Sequence, residues 1–302
     1  MIGIYGANGF IGTAVTRHLL ACGHKVKAVS RSFSDGFIEE FDRQLVVETL
    51  DVQDIDALRE SLSGVTTAIH LVSSVSPGLG NQNIEADISS NLVANINFAK
   101  ECADRSVKKL IFLSSGGTVY GRPEQTPIPE SHPCNPISSY GLVKYCSEKY
   151  IQMFGEVLGL DYTIVRLANP FGPGQVFKNA QGLIPAILQK AENGEAVTIL
   201  GDGSAERDYI YIEDAAVAIE KMIDNPAASK TVLNLGSGEG RSILDVVSSI
   251  EAALGKTLEK EFLPGRDTDV KKSILDITRA KDVLGWAPGT NFVDGVKKTV
   301  QS

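Results

Sequence analysis

The chain opens MIGIYGANGFIG, and this start restricts the fold more than any other stretch. An apolar run, Ile2–Tyr5, passes directly into glycines at Gly6, Gly9 and Gly12, and an amphipathic stretch from Ile11 to Ala21 follows. Glycines let the backbone turn sharply and approach a bound group closely. The helix behind them offers free N–H groups and the positive end of its dipole. A strand, a glycine turn and a helix in this order form a cradle for a pyrophosphate, with Asn8, Phe10 and Ile11 completing the loop and the first turn. The spacing is GxxGxxG rather than GxGxxG, and such turns also serve simply to pack a helix on a strand. Their place between the first strand and the first helix favours dinucleotide binding.

Apolar runs recur at Val26–Ser30, Leu45–Leu50, Thr67–Leu71, Lys109–Ser114 and Tyr162–Leu167. Several are almost uninterrupted, as in strands covered on both faces. Helical patterns alternate with them over Ile11–Ala21, Ile55–Leu62, Ile84–Arg105 and Tyr140–Leu158. This alternation predicts an α/β fold: a doubly wound parallel sheet with right-handed crossovers and helices on both faces. The stretch NPFGPGQ (169–175) marks a boundary. Residues 1–170 therefore read as a dinucleotide-binding domain, and 171–302 mainly as a smaller α/β domain for substrate. Segments near 208–235 are expected to return to the first. The second part carries helical patterns at Leu183–Asn193, Glu213–Ile223, Ile243–Leu254 and from Thr278, with strands at Val197–Leu200 and Val232–Leu235.

Ligands of such sheets sit beyond the C-terminal ends of the strands. That places Ser30 and Arg31, Asp51 and Val52, and Leu71, Val72 and Ser73 around the cofactor. Ser114 and Asn91 are assigned to it as well; ordinary loop packing is the alternative for each. The rest of the composition narrows the function. A net charge of −8 opposes general nucleic-acid binding, which needs a basic face. His18, His24, His70 and His132 are scattered without ligand spacing, so no metal site is expected. Cys22, Cys102, Cys134 and Cys146 show no CxxC pair, and no basic leader precedes the first apolar run. They read as reduced thiols of a cytoplasmic protein. No run of 18 apolar residues is present to span a membrane.

The stretch SSYGLVKYC puts Tyr140 and Lys144 four residues apart, on one face of a helix. Alone, the pair is an anchor and a solvated charge. Beside a dinucleotide cradle it has a chemical use, because a phenol is a weak base at neutral pH and a neighbouring ammonium favours its ionised form. With GANGFIG, LSSGGTVYG (113–121), SSYGLVK and RLANPFGPG, the chain resembles the extended short-chain dehydrogenase/reductase family. Within it, the resemblance is to the NAD-dependent epimerase/dehydratase group typified by UDP-sugar 4-epimerases. It extends through GDGSAERDYIYIEDAA (201–216), LNLGSGEGRSI (233–243) and LGW (284–286).

The resemblance implies a Rossmann-type fold, Tyr140 as general acid/base, and Lys144 as its tuner and anchor for the nicotinamide ribose. At the position that commonly holds a catalytic Ser or Thr this chain has Gly116. Thr118 is the first choice for the missing hydroxyl and Ser115 the second. The Asp-Glu pair of sugar dehydratases and the Glu of sugar decarboxylases are absent from this segment, where Gly117 and Thr118 stand. Arg207 and Arg266 match the family's diphosphate-binding arginines, and Asn169 its sugar or phosphate contact. Leu183 and Ile199 are assigned to the nucleotide base. The family also implies a homodimer through the helices near 84–105 and 140–158. The function expected is a redox-neutral nucleotide-sugar 4-epimerase with NAD. A 4-ketoreductase with dissociable NADPH is the alternative, since Arg31 after the second strand suits a 2′-phosphate. A non-catalytic dinucleotide sensor is the third reading, disfavoured by the Tyr–Lys pair.

Overall fold

Four consecutive buried residues, Ile2–Tyr5, form β1, and their lack of alternation places the strand inside a sheet covered on both faces. The computed structural model describes residues 1–41, 44–74, 81, 83–105, 107–177, 182–265 and 270–301. After β1 come α1 (Phe10–Ala21), β2 (Val26–Ser30), α2 (Asp35–Phe41), β3 (Val46–Thr49), α3 (Ile55–Ser61) and β4 (Thr67–His70). Then follow α4 (Ile84–Asp87), a π-helical turn (Ile88–Val93), α5 (Ala94–Asp104), β5 (Lys109–Ser115), α6 (Ser139–Val157) and β6 (Tyr162–Leu167). The remaining elements are β7 (Asn169–Phe171), α7 (Leu183–Asn193), β8 (Val197–Leu200), β9 (Glu206–Tyr211), α8 (Ile212–Met222), β10 (Thr231–Leu235), β11 (Gly240–Ser242), α9 (Ile243–Leu254), β12 (Lys260–Leu263), β13 (Lys272–Ser273), α10 (Thr278–Leu284) and α11 (Phe292–Val300).

Among the described residues, seven strands form the main sheet in the order β10-β6-β5-β4-β1-β2-β3. Every neighbouring pair in it is parallel. Side chains alternate across β1: Ile4 packs with Val15 and Leu19 of α1 and Ile219 of α8. Tyr5 faces the other way, with Leu58 of α3, Phe98 of α5, and Ile151 and Phe154 of α6. The helices thus cover both faces, as the alternation predicts. β10 joins the sheet beside β6, so the chain returns to it late. The smaller body is built on β9, flanked by β7 and β13 in parallel and by β11 antiparallel, with β8 and β12 as a separate parallel pair. Its core gathers Phe171, Tyr209, Tyr211, Val246 and Phe292.

One expected element differs. The periodicity reads as a single helix over 84–105, but the backbone opens into the π-helical turn at Ile88–Val93. The hydroxyls of Ser89 and Ser90 both donate to the Ala86 carbonyl, which competes with the regular helical ladder there.

The fold also fixes α6 from below. Arg166 of β6 grips Glu148 of α6 through Nε and Nη2, at 3.1 Å to Oε1 and 2.6 Å to Oε2, and both side chains are buried. Ser114 of β5 donates to the same carboxylate. Replacing Glu148 with Ala leaves the guanidinium buried without its partner, and a loss of about 3–5 kcal/mol is expected. Guanidinium unfolding at fixed pH measures it; a loss below about 1 kcal/mol would contradict the role given to this pair.

Candidate active site

Glycine determines the first wall of the site. Gly6 has φ +94° at the end of β1, a conformation side chains rarely adopt. A Cβ on Gly12 would lie 2.2 Å from the Gly6 carbonyl oxygen and 2.7 Å from Ala7, so α1 can start this close to β1 only with glycine there. A cleft opens beyond the strand ends. Gly6 and Gly9 form its floor, Ser30 and Arg31 flank it after β2, and Asp51 and Val52 after β3. Leu71, Val72 and Ser73 close it after β4. The sequence placed all nine here. It did not single out Val29, Leu50 and Ser74, which also line the cleft and stand next to residues that it did. Glycine floor, helix N-terminus and apolar walls with a carboxylate at the third strand fit a dinucleotide.

Three other assignments to the cofactor sit differently. Asn8 turns its Oδ1 to Ser34, accepting from its backbone N–H at 3.3 Å and its hydroxyl at 3.2 Å, and so pins the loop after β2. The Ser114 hydroxyl faces Glu148 in the buried network and not the cleft. Asn91 is buried and spends both ends of its amide internally: Oδ1 accepts the Ser74 N–H at 2.7 Å, and Nδ2 donates to Asp87 at 2.9 Å. It reaches the cleft only through the backbone of Ser74. Phe10 and Ile11 lie in the first turn of α1, with Ile11 packed on the core.

The second wall is the start of α6. Ser138 caps it, its hydroxyl accepting the Gly141 N–H at 3.2 Å. Tyr140 therefore lies in the first turn and Lys144 one turn on. Ser73, from the cofactor cleft, favours the ionised form of the Tyr140 phenol. Lys144 is buried; its Nζ donates to the Leu113 carbonyl at 2.9 Å and lies 5.8 Å from the centre of the Tyr140 ring. Burial pushes the phenol up to about 12, with Ser73 opposing and the Asp87 carboxylate adding. Burial pulls the Lys144 amine down to about 8, against the carboxylates of Glu148 and Asp87. At pH 7 the pair is thus a phenol beside an ammonium.

Thr118 lies in the turn after β5, its carbonyl close under Gly141 at the start of α6. Its hydroxyl is enclosed and has no partner among the described residues. Ser115 is half-buried at the end of β5. A Cβ on Gly116 would meet Leu275 Cδ1 at 2.5 Å and the Arg166 carbonyl oxygen at 3.0 Å, so a hydroxyl-bearing residue fits here only if Leu275 shifts. On the substrate side, Arg207 is half-buried on β9, with Nη1 donating to the Glu206 carbonyl at 2.9 Å. Asn169 Nδ2 donates to the neighbouring Asp208 carbonyl at 2.8 Å, and Leu183 is half-buried at the start of α7. Arg266 lies outside the described residues. The assignment of Ile199 to the nucleotide base is corrected: it is fully enclosed in the small core. Side chains alternate along β8, so Thr198 and Leu200 point outward where Ile199 points in.

This combination defines a class: a dinucleotide-binding α/β enzyme with a tyrosine–lysine pair on a helix across the cofactor cleft. Comparison with known proteins narrows it. The model of the NAD dependent epimerase/dehydratase family matches residues 2–236. The chain belongs to that family. It is 31% identical over 304 residues to the UDP-glucose 4-epimerase of Mycolicibacterium smegmatis, covering 99% of this chain and 96% of the relative. It is 33% identical over 307 residues to a dTDP-4-dehydro-6-deoxyglucose reductase of Escherichia coli, with the same coverage of each chain. Among solved structures it superposes on the UDP-glucose 4-epimerase of Thermotoga maritima with UDP-glucose, with a TM-score of 0.93 at 32% identity, over 99% of this chain and 97% of that one.

The Lys144 environment makes a pH prediction. Its amine titrates lower in the folded protein than in the unfolded chain, so the unfolded chain binds more protons between about pH 8 and 10.5. Stability attributable to Lys144 therefore rises with pH through that window and is lowest below it. Denaturant melts of the wild type against Lys144→Met, from pH 7 to 10, should show the wild type gaining roughly 1–3 kcal/mol on the variant. A difference that is flat or falls with pH would contradict the burial argument.

Proposed function

We propose that the chain is an NAD-dependent nucleotide-sugar epimerase, a UDP-sugar 4-epimerase of the UDP-glucose/UDP-galactose type, acting through a transient 4-keto sugar. The observation that carries this reading is the setting of Tyr140, in the first turn of α6 beside the cofactor cleft and one turn from Lys144, whose Nζ lies 5.8 Å from its ring centre. NAD, when bound, supplies a reversible acceptor for the substrate hydride. The cleft residues from Gly6 to Ser73 hold it. Tyr140 takes the proton from the C4 hydroxyl and gives it back after the keto sugar has turned over. Lys144 stabilises the phenolate form, and its ammonium would also hold the cofactor ribose. Thr118 holds the substrate oxygen, a role supported by its unpartnered hydroxyl. Arg207 and Asn169 hold the diphosphate, with Arg266 beside them by resemblance. In this reading 1–170, with α8 and β10 returning to them, form the cofactor body, and the rest of 171–302, with β9 at its centre rather than in the first body as the sequence suggests, mainly the substrate body.

A homodimer through α5 and α6 goes with this reading. Leu142, Tyr150, Met153 and Val157 form an exposed apolar stripe along α6, with Val93 exposed where α5 begins. Among the described residues no helix is long and apolar enough to cross a membrane. All four cysteines are free, which supports a cytoplasmic setting. The acidic balance speaks against a nucleic-acid partner.

The 4-ketoreductase reading has two specific supports: the likeness to the E. coli reductase, and Arg31 exposed on the cleft wall after β2. Purification followed by denaturation and identification of released dinucleotide separates the two. An epimerase carries NAD with it; a reductase releases its cofactor and prefers NADP. A panel of nucleotide sugars followed by product NMR then names the sugar.

Tyr140→Phe removes the transferable proton, and turnover should fall at least about a hundredfold while bound NAD is unchanged. Near-normal turnover would sink the assignment. Thr118→Val deletes the hydroxyl and keeps the shape, so turnover should fall without loss of NAD. If Ser115→Ala is damaging and Thr118→Val silent, the substrate hydroxyl is held by Ser115.

A further inference from the structure

Asp87 ends α4 and is wholly enclosed, a costly place for a carboxylate. Its described hydrogen-bond partners are both neutral donors. Oδ2 accepts from the Ser139 hydroxyl at 2.6 Å, and Oδ1 from Asn91 Nδ2 at 2.9 Å. Each partner leads to the active site. Ser139 immediately precedes Tyr140 in the first turn of α6, and its N–H is held in turn by Asn81 Oδ1 at 2.8 Å. Asn91 holds the Ser74 N–H at 2.7 Å, next to Ser73, which lines the cofactor cleft and favours the ionised form of the Tyr140 phenol. Asn91 lies in the π-helical turn, and the wider backbone of such turns is frequent where a side chain must be aimed at a functional site. One carboxylate therefore ties the first turn of α6 to the loop that closes the cofactor cleft.

Among the described residues, the charged groups around the pair are few. Lys144 and Glu148 come from α6, and Glu148 is committed to Arg166 of β6. From β4, His70 is buried with both ring nitrogens unpartnered among the described residues, and burial, helped by Lys144, pushes it down to about 3, so it is neutral. Asp87 is the anion that acts on the Tyr140 phenol, and it acts on Lys144 as well.

We infer that Asp87 sets where the proton rests: its buried charge holds the proton on Tyr140 and positive charge on Lys144, while its hydrogen bonds fix α6 against the cofactor loop. Asp87 touches neither cofactor nor reacting atoms and is a positioning residue. The inference rests on Tyr140 being the acid–base group, but its test reads the phenol and not the turnover. Failure of Tyr140→Phe to lower activity would sink the functional reading, whereas an unmoved phenol midpoint with Tyr140→Phe still inactive would sink this inference alone, so the two failures are told apart.

The experiment is an ultraviolet difference titration of the purified protein with its bound dinucleotide, using Tyr140→Phe as the blank for the other tyrosines. Asp87→Asn should move the Tyr140 ionisation to lower pH by about half a unit or more. Asp87→Glu, which keeps the charge, should restore it towards the wild-type midpoint. Ser139→Ala, which loses the hydrogen bond and keeps the carboxylate, should leave the midpoint near the wild type. Asp87→Ser serves as a second neutral variant if Asp87→Asn does not fold. An unmoved or alkaline-shifted midpoint in a folded neutral variant overturns the inference. So does failure of both neutral variants to fold, which would make Asp87 a structural strut.

Discussion

The buried pair of Arg166 and Glu148 is the constraint on which the site depends. It joins the sheet to the helix that carries Tyr140 and Lys144, at 5% and 0% side-chain exposure. Water is excluded from it, so any tilt of α6 would break charged hydrogen bonds that nothing else could replace. The same carboxylate takes the Ser114 hydroxyl, and the guanidinium lies 4.8 Å from the centre of the Tyr120 ring. Tyr120 continues the network to Asn234 of β10 at 2.7 Å, and Asn234 Nδ2 reaches the carbonyls of Ile128 and Asp276. Sheet, catalytic helix and the C-terminal segment are thereby set relative to one another. A buried ion pair of this kind contributes more to a single geometry than to net stability.

On this frame the charge balance of the site becomes intelligible. The chain is strongly acidic, yet the ligands proposed for it are anions. In the proposed reading the donors that would meet them are local: helix N–H groups behind Gly6–Gly12, and single guanidiniums such as Arg31, on the cleft wall, and Arg207 on β9. The acid–base pair is built in the opposite way. Among the described residues it sits near few charges, so that the cost of ionising the half-buried phenol is set by burial first, then by Ser73 and Asp87. A second buried anion wired into the first turn of that helix is an economical way to hold the pair in one protonation state.

Much of this is legible in the amino-acid order. β1, the glycine turn and α1 follow from an uninterrupted apolar run meeting three spaced glycines, and the cleft residues follow from where parallel strands end. The π-helical turn is not legible, because it arises from serine hydroxyls competing for one carbonyl rather than from periodicity. β9 and its partners escape because ERDYIY opens with charge and gains its apolar face only against Phe171 and Phe292. Ile199 is misassigned because sequence gives the alternation of a short strand but not which face is inner. Asp87 in NIEADISS draws no assignment from the sequence; the packing of α4 against α6 shows that it is enclosed. Ser114 and Asn91 stand in the right neighbourhood with their side chains turned elsewhere, a distinction that strand-end logic does not make.

The central claim is a redox-neutral cycle in which hydride leaves and returns to the same carbon. It is tested most directly with UDP-glucose carrying deuterium at C4, incubated with the purified protein and no added dinucleotide. Proton and deuterium NMR of the product should show UDP-galactose with the deuterium still at C4. Loss of the label from C4, or product forming only when NAD(P)H is supplied and consumed in proportion, would contradict the account.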